Sequence, residues 1–415
     1  MSLSKTQPRT AAELTLIDRA ETRLSNETSR EALEVLRKEG LPSRRVEAWH
    51  YTDLRALLGR VNVQDGEQKP AQPSYLTPLL PHSLVVELDR PAAGNDVASG
   101  LKVSEGKRIA PWNKTVNHLD RGIDTIRVLN EAMEAKGVDI EVASGLVLAT
   151  PVELRPESNS TGGQSYANVV AGAGSSATFV ERAPPASAGA VSTAVYTLDI
   201  GDGADVLWII AQEKGSDESH LGQLNVTLRA DAKLRLFVLN AGGAVVRQEV
   251  HAVTEGEGAD IKIRGVNLLD EGQHIDVTTT LNHNVAHTTS TEIFRNVVLG
   301  GHGVFQGMIR VAKGAQKTDA RLACNTLLLS DDGDFSAKPE LEIFADDVQC
   351  GHGATAGEIN ADHLFYLMSR GIPQARARSL LVKAFVGEVV EELEDETIVE
   401  ALETRIDAWL DSRHS

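Results

Sequence analysis

The apolar positions of this 415-residue chain change their period twice, and the changes divide it. Through the first sixty residues they recur at helical spacing. Thr10 and Glu13 stand in the relation of a capping box, and Leu14, Ile17 and Leu24 follow as one predicted stripe. A second predicted helix carries Ala32, Leu33 and Leu36, with Gly40 to close it in the left-handed conformation and Pro42 to prevent its continuation. Val63 to Pro81 is polar and broken by proline and glycine, so it reads as a linker. Leu84 to Leu88 then predicts a strand, and Asp124 to Lys136 a helix closed by Gly137.

From about Val138 to Val348 the pattern becomes short runs of Val, Ile, Leu and Thr, interrupted by Gly, Asn or Asp. The turn-to-strand junctions repeat. Ala177, Ala204, Ala232 and Ala259 each open a strand-like run, at separations of 27, 28 and 27 residues. A small residue recurring at nearly fixed spacing suits stacked solenoid coils, because each coil must bury its face on the next. A β-sandwich with evenly spaced strands is the competing architecture.

Helical spacing returns after Gly357. Asn360 caps a predicted short helix bearing Leu364, Leu367 and Met368, which Gly371 and Pro373 end. A longer one carries Leu381, Ala384, Phe385, Val389 and Leu393. The last opens on a Thr397 to Glu400 capping box and carries Ile398, Leu402, Ile406 and Trp409. These stripes exceed what a solenoid cap requires, which predicts a partner-binding face built on Leu364, Leu381, Phe385 and Val389. The predicted organisation is a helical region over 1–62, a linker and small mixed region over 63–137, a β core over 138–357 and a helical domain over 358–415.

Composition narrows the function. Lys and Arg number 41 against 59 Asp and Glu, a formal net charge of −18, and no long basic run offsets it, so nucleic acid is not an expected partner. Two cysteines, Cys324 and Cys350, build no disulfide framework and fit a reducing, cytoplasmic setting. Runs such as Val206 to Ala211 are far shorter than a bilayer span, and the first residues hold no uninterrupted apolar core of a signal peptide.

Nucleotide and hydrolase signatures fail. Gly172-Ala173-Gly174-Ser175-Ser176-Ala177 has the glycine spacing of a dinucleotide fingerprint, but Thr178-Phe179-Val180 continues as strand and no helix follows to receive a pyrophosphate. No P-loop, G-x-S-x-G elbow, C-x-x-C pair or H-E-x-x-H helix occurs. His283 and His287 have a helical metal-ligand spacing within strand-like sequence, where two polar positions lining a solenoid turn is the simpler reading. The densest polar cluster is Asp346 to Gly353. In extended chain Cys350 and His352 would share one face, and thiolate with imidazole suits iron, copper(I) or zinc. Two ligands need others from elsewhere, and a thiolate needs a nearby positive charge. Without those the pair is a glycine turn with a half-buried cysteine.

The run Lys338-Pro339-Glu340-Leu341-Glu342-Ile343-Phe344-Ala345-Asp346-Asp347-Val348-Gln349-Cys350-Gly351-His352-Gly353-Ala354-Thr355 closely resembles the signature of the SufB/SufD family, scaffold subunits of the SUF iron–sulfur cluster assembly machinery. Ala315 to Ala320, Asn325 to Leu329, Leu364 to Leu367 and Ser369 to Ile372 are similar to the family too. So is Gly40 to Arg45 followed by Glu47, Trp49, Tyr51 and Thr52. Shortness and two cysteines resemble the SufD branch more than the longer, cysteine-rich SufB. The resemblance implies a mainly β protein, a right-handed parallel β-helix between helical ends. It implies pairing with SufB through the β-helices, docking of the ATPase SufC on the carboxy-terminal helices, and a homodimer as the pairing of the isolated chain. His352, beside Cys350, would serve a transient iron–sulfur cluster at the SufB interface, with no cofactor held stably by the chain alone. Gly351 stands where serine is common in the family, which leaves the pair intact. Asn282 stands where Asp often precedes His283, which weakens a role for that histidine.

The expected function is therefore a non-enzymatic assembly subunit. Two alternatives remain: a β-helix enzyme acting on acidic sugars, which needs acid, base and basic groups clustered on successive coils, and a purely architectural adaptor without cluster chemistry.

Overall fold

Strands that are apolar on both faces need cover on both sides, and Val206-Leu207-Trp208-Ile209-Ile210-Ala211 is buried from end to end. In the computed structural model, which describes residues 9–61, 63, 77–89, 95–107, 118–156 and 162–412, such strands stack into two sheets. The first contains, in spatial order, β1 (Leu84–Glu87), β5 (Val152–Arg155), β7 (Ser176–Ala183), β9 (Asp205–Gln212), β11 (Lys233–Ala241), β13 (Asp260–Leu269), β15 (Thr289–Val298), β17 (Asp319–Leu328) and β19 (Gln349–Gly357). The second runs β2 (Asn95–Ala98), β3 (Leu101–Glu105), β4 (Lys136–Val142), β6 (Gln164–Ala171), β8 (Val191–Ile200), β10 (Ser219–Leu228), β12 (Val245–Thr254), β14 (His274–His283), β16 (Gly301–Val311) and β18 (Gly333–Ile343). From β4 onward successive strands alternate between the sheets and every pair is parallel, so the core is a parallel β-solenoid of about seven turns. The sandwich alternative is excluded, because among the described residues only β2 with β3 and β3 with β4 pair antiparallel.

The small-residue repeat is real but one member was misaligned. The amides of Lys233 and Asp260 bond the carbonyls of Ala204 and Ala232 at 2.8 and 2.9 Å, so Ala204, Ala232 and Ala259 occupy one corner on successive coils. Asp205 bonds Ser175, however, which makes Ser175 and not Ala177 the equivalent. Thr288 and Thr318 continue the column, accepting from Asp319 and Gln349. A hydroxyl fits the corner as well as a methyl, so alanine alone traced only three coils.

Within the lumen, inward side chains stack coil on coil. Phe179 and Trp208, on adjacent coils, lie 5.4 Å apart, and Phe294 and Phe305 meet across the lumen from the two sheets at 5.1 Å. At one corner an amide ladder replaces the apolar column: Asn240 donates to Asn267 at 2.8 Å, Asn267 to Asn296 at 2.7 Å, and Asn296 to Thr326 at 2.9 Å. Each rung satisfies a polar group that the lumen would otherwise penalise.

The helices lie along the solenoid, not across its end. α6 (Gln374–Glu391) and α7 (Glu396–Asp411) press Val382, Val386, Val389, Ile398, Leu402, Ile406 and Trp409 onto the outer face of the first sheet, against Leu207, Ile209, Phe237, Val266 and Val297. The stripe read as surplus is therefore the cover of that sheet. Ala384 faces solvent, and α7 is capped by Asp395, which accepts from Thr397 and Ile398 at 3.0 and 3.2 Å, instead of by Thr397. α5 (Ala361–Ser369) has the predicted cap, Asn360, but no buried residue.

Short helices cover the second sheet: α1 (Ala11–Glu21), α2 (Glu27–Glu39), α3 (Leu54–Leu58) and α4 (Thr125–Ala132). Thr10 and Glu13 form the predicted capping box, but α1 buries Leu16, Ile17 and Ala20 while Leu14 is exposed and Leu24 lies beyond the helix end. α2 ends at Gly40 with φ 72°, as its sequence predicts. α4 stops at Ala132, before Glu134 takes φ 52°; Gly137 already belongs to β4. Most of the predicted linker lies outside the described residues. The strand at Leu84 is β1.

Between the amino-terminal helices and the second sheet lies a buried ionic network. Arg247 donates to Glu249 at 2.9 Å and to Asp276 at 2.7 Å, with its guanidinium 4.0 Å from the centre of the Trp49 ring. Arg121 holds Glu249 through two bonds of 2.7 and 2.9 Å. Burial opposes ionisation of Glu249, but Arg121 and Arg247 outweigh it and keep its carboxyl well below the usual range. Arg247→Met would leave Asp276 and half of Glu249 uncompensated, so urea denaturation should report a loss of about 3–5 kcal/mol. A loss below about 1 kcal/mol would mean that the network is not what holds these helices down.

Candidate functional site: the open mouth of the solenoid

The last two strands have one neighbour each. β18 pairs only with β16 and β19 only with β17, so one backbone edge of each stays unpaired. The two edges differ. β18 carries Lys338, Pro339, Glu340 and Glu342, the charge and proline that discourage strand addition. β19 reads Cys350-Gly351-His352-Gly353-Ala354-Thr355-Ala356-Gly357, uncharged apart from its histidine and glycine-rich, and it is exposed except at Cys350.

Register decides where the side chains point. Cys350 stacks on Ala320, His352 on Leu322 and Ala354 on Cys324, and those β17 residues belong to the lumenal core. Cys350 and His352 thus share the lumenal face of β19, roughly 7 Å apart along the strand. Cys350 packs against the core, whereas His352 is open to solvent. Burial and the nearby Asp319 push the Cys350 thiol up, against a lowering contact with the Ala320 backbone, so by itself it is a thiol. Among the described residues no group of three His, Cys, Asp or Glu side chains could hold a metal ion. The pair offers two donors at most.

The other sequence candidates fall elsewhere. His283 is buried, 2.7 Å from Thr288 Oγ1 and 2.9 Å from Ser290 Oγ, and burial pushes it down to about 4, so it is a structural rung. His287 sits in the next turn at φ 57°, and the two share no face. Gly174 turns the corner between β6 and β7 with no helix beyond it. In the proposed helical face Val389 is buried against the first sheet, while Phe385 is half-buried with the Arg295 guanidinium 5.2 Å from its ring centre. Leu364 and Leu381 are half-buried. The side chains that do reach solvent are Phe365 (72% exposed), Tyr366 (56%), Met368 and Leu380. Helical spacing picked out Met368 but missed Phe365, Tyr366 and Leu380, because a stripe facing the protein and one facing away look alike in sequence.

Acidic and basic groups do cluster on successive coils, as a sugar-active solenoid enzyme would require. Arg247, Glu249 and Asp276 form one such cluster, fully buried beneath the amino-terminal helices, while Arg229 with Asp199 and Glu255 forms another that is open to solvent as mutually paired ions. The alternation of Arg247, Glu249 and His251 at period two signalled a polar outer face, but not that helices seal it.

Residues 155–385 match the SufBD core domain of the SUF system for iron–sulfur cluster assembly. The chain belongs to the SufB/SufD family. It is 29% identical over 90% of both chains to the iron–sulfur cluster assembly protein SufD of Escherichia coli. It is 24% identical to SufB of Bacillus subtilis, over 84% of this chain and 76% of that one. A SufBD family protein of Synechocystis is 30% identical over 48% of this chain and 44% of its own. Among the described residues of this SufBD family chain, no helix is long and apolar enough to cross a membrane.

The thiols give a direct check on the geometry. Burial pushes Cys324 up to about 12, beyond the milder rise at Cys350. Iodoacetamide should modify Cys350 slowly at neutral pH and faster as pH rises, and leave Cys324 untouched until the protein unfolds. Equal rates at the two sites would contradict the inward placement of Cys324.

Proposed function

We propose that the chain is a non-catalytic, SufD-type scaffold that joins a SufB subunit through the mouth of its solenoid. The open β19 edge carries this reading: it is a long, glycine-rich, uncharged template with His352 exposed on it, a feature with no use in a chain that works alone. Strand addition there would bring SufB residues within reach of Cys350 and His352 and supply the ligands this chain lacks. The nascent iron–sulfur cluster is then shared cargo, bound transiently and lost on separation. Cys350 would become a ligand as a cation arrives to stabilise its thiolate.

The ATPase subunit SufC would dock on the solvent face of α5 and the start of α6. Phe365, Tyr366, Met368 and Leu380 are exposed there beside Arg370, Arg376 and Arg378. Point changes are the proper probe, since removing the chain from Pro373 onward would uncover the apolar face of the first sheet.

Co-expression with SufB and SufC under anaerobic conditions, followed by iron and sulfide analysis, tests the scheme. His352→Ala should leave the three subunits associated, because the side chain is exposed, and should lower cluster content at least several-fold. Normal cluster content would reduce the chain to an architectural adaptor. Phe365→Asp with Tyr366→Asp should release SufC while SufB stays bound; retained SufC would place that contact elsewhere.

A further inference from the structure

Two rows below His352 lies a carboxyl that nothing in the assembly scheme uses. Ile263, Glu292, Leu322 and His352 occupy equivalent positions on β13, β15, β17 and β19, one lumenal column ending at the mouth. Glu292 is 1% exposed, and neither of its oxygens has a hydrogen-bond partner. Thr279 Oγ1, on the facing sheet, is the hydroxyl that acts on this carboxyl, and it too is buried outside ordinary hydrogen-bond geometry. An unpaired carboxylate in such a place costs several kcal/mol, whereas the neutral acid is tolerated.

We propose that Glu292 is a pH-sensitive plug beneath the mouth: as the neutral acid it lets β17 and β19 close over it, and as the carboxylate it draws water into the lumen and loosens those two strands. The position makes this local. Only Leu322 and His352 stand above Glu292 in its column, and the Cα of His352 is about 10 Å away. Glu181 is a second lumenal carboxyl, but it accepts a 3.0 Å bond from Trp208 and is covered by several coils on the mouth side. Ionising it would have to open the middle of the solenoid.

The surroundings favour the neutral form. Burial raises Glu292 to about 7, against smaller lowering effects from Thr279 and Arg264. Of the titratable groups on the elements packed against β15, Arg264 and Cys324 interact with it. Arg264 also donates to Glu392 at 2.6 Å, and Cys324 is a thiol. By strand alternation Lys262 and Asp260 of β13, Arg295 of β15 itself, Arg310 of β16, Asp319 and Arg321 of β17, and Lys338, Glu340 and Glu342 of β18 face outward. On β14, His283 faces the lumen but is held by Thr288 and Ser290, and Asp276 faces outward to Arg247. His302 and Asp334 lie at the far ends of β16 and β18, and the charges of α6, such as Glu388 and Lys383, lie across the first sheet on its outer side.

The sign follows. A carboxyl whose closed-state pKa lies above the ordinary value takes up a proton on closing, so closure is fully favoured below the ordinary range. It weakens as pH rises to about 7, then levels off. Hydrogen exchange of the purified chain, corrected for intrinsic rates, should show the opening constant of β17 and β19 growing by up to about tenfold per pH unit between about pH 5 and 7. In β7 and β9 no such local growth is expected. Glu292→Gln should flatten the dependence and keep β17 and β19 protected at pH 8. The same slope in Glu292→Gln and wild type would overturn the proposal. So would infrared difference spectra of the wild-type protein at pH 6 lacking a protonated carboxyl band, a reading that needs no variant to fold. Neither measurement involves a partner, so failure here is separate from failure of the SufB pairing.

Discussion

A parallel solenoid is held together by backbone ladders running from coil to coil, and such a ladder cannot close on itself as a barrel does. Wherever the chain stops adding coils, a full set of amide and carbonyl groups faces outward. In this protein the amino-terminal end of the second sheet turns aside through β3 and β2, which pair antiparallel. The carboxy-terminal end has no equivalent closure. β18 blunts its edge with Pro339 and alternating charge, while β19 leaves its edge plain, so of these two edges the one suited to pairing is the one that carries His352.

The helices do not seal that end, and the strand composition explains why. Runs such as Val206 to Ala211 and the outward side chains Phe237, Leu239, Val266 and Val297 give the first sheet an apolar outer face that water cannot be left to cover. α6 and α7 must lie along it. The second sheet makes the same demand with Val191, Val195, Leu221 and Val245, and then changes character toward Arg247, Glu249 and Asp276, where ion pairs replace apolar contact. Both sets of helices are thus engaged on the flanks. The open mouth follows from the way the flanks are built.

The sequence made the helical ends, the caps at Thr10, Gly40 and Asn360, and the change to stacked strands legible, because each depends on local residues at fixed spacing. The repeat was readable only while its corner residue stayed alanine; at Ser175, Thr288 and Thr318 the same corner is filled by hydroxyl residues, and spacing then loses its landmark. Period alone could place Cys350 and His352 on one face but could not say that the face is lumenal, since that depends on which β17 residues lie beneath. The direction of a helical stripe failed for the same reason. Val389 and Phe365 are both apolar and both on helices, and only the position of the first sheet separates the buried one from the exposed one. Nothing in the sequence marks Glu292, because only the register puts it in the lumen.

The chemistry at the mouth is incomplete in a way that constrains the order of events under the proposed pairing. Cys350 is a thiol half-covered by the core, with Asp319 and no cation beside it, so its lone pair is available only after something positive has arrived. His352 needs no such help to offer a nitrogen, but one imidazole is a weak hold on iron. Strand addition at β19 would cover the same residues that must receive the metal, because the pairing edge and the ligands are on one nine-residue strand. On that pairing, iron would have to reach His352 while the mouth is still accessible, or enter as the two solenoids part. Either way, under that pairing, exposure of this strand and delivery of the cargo would be two aspects of a single motion, and whatever controls the closing of the terminal coil would control when Cys350 could bind.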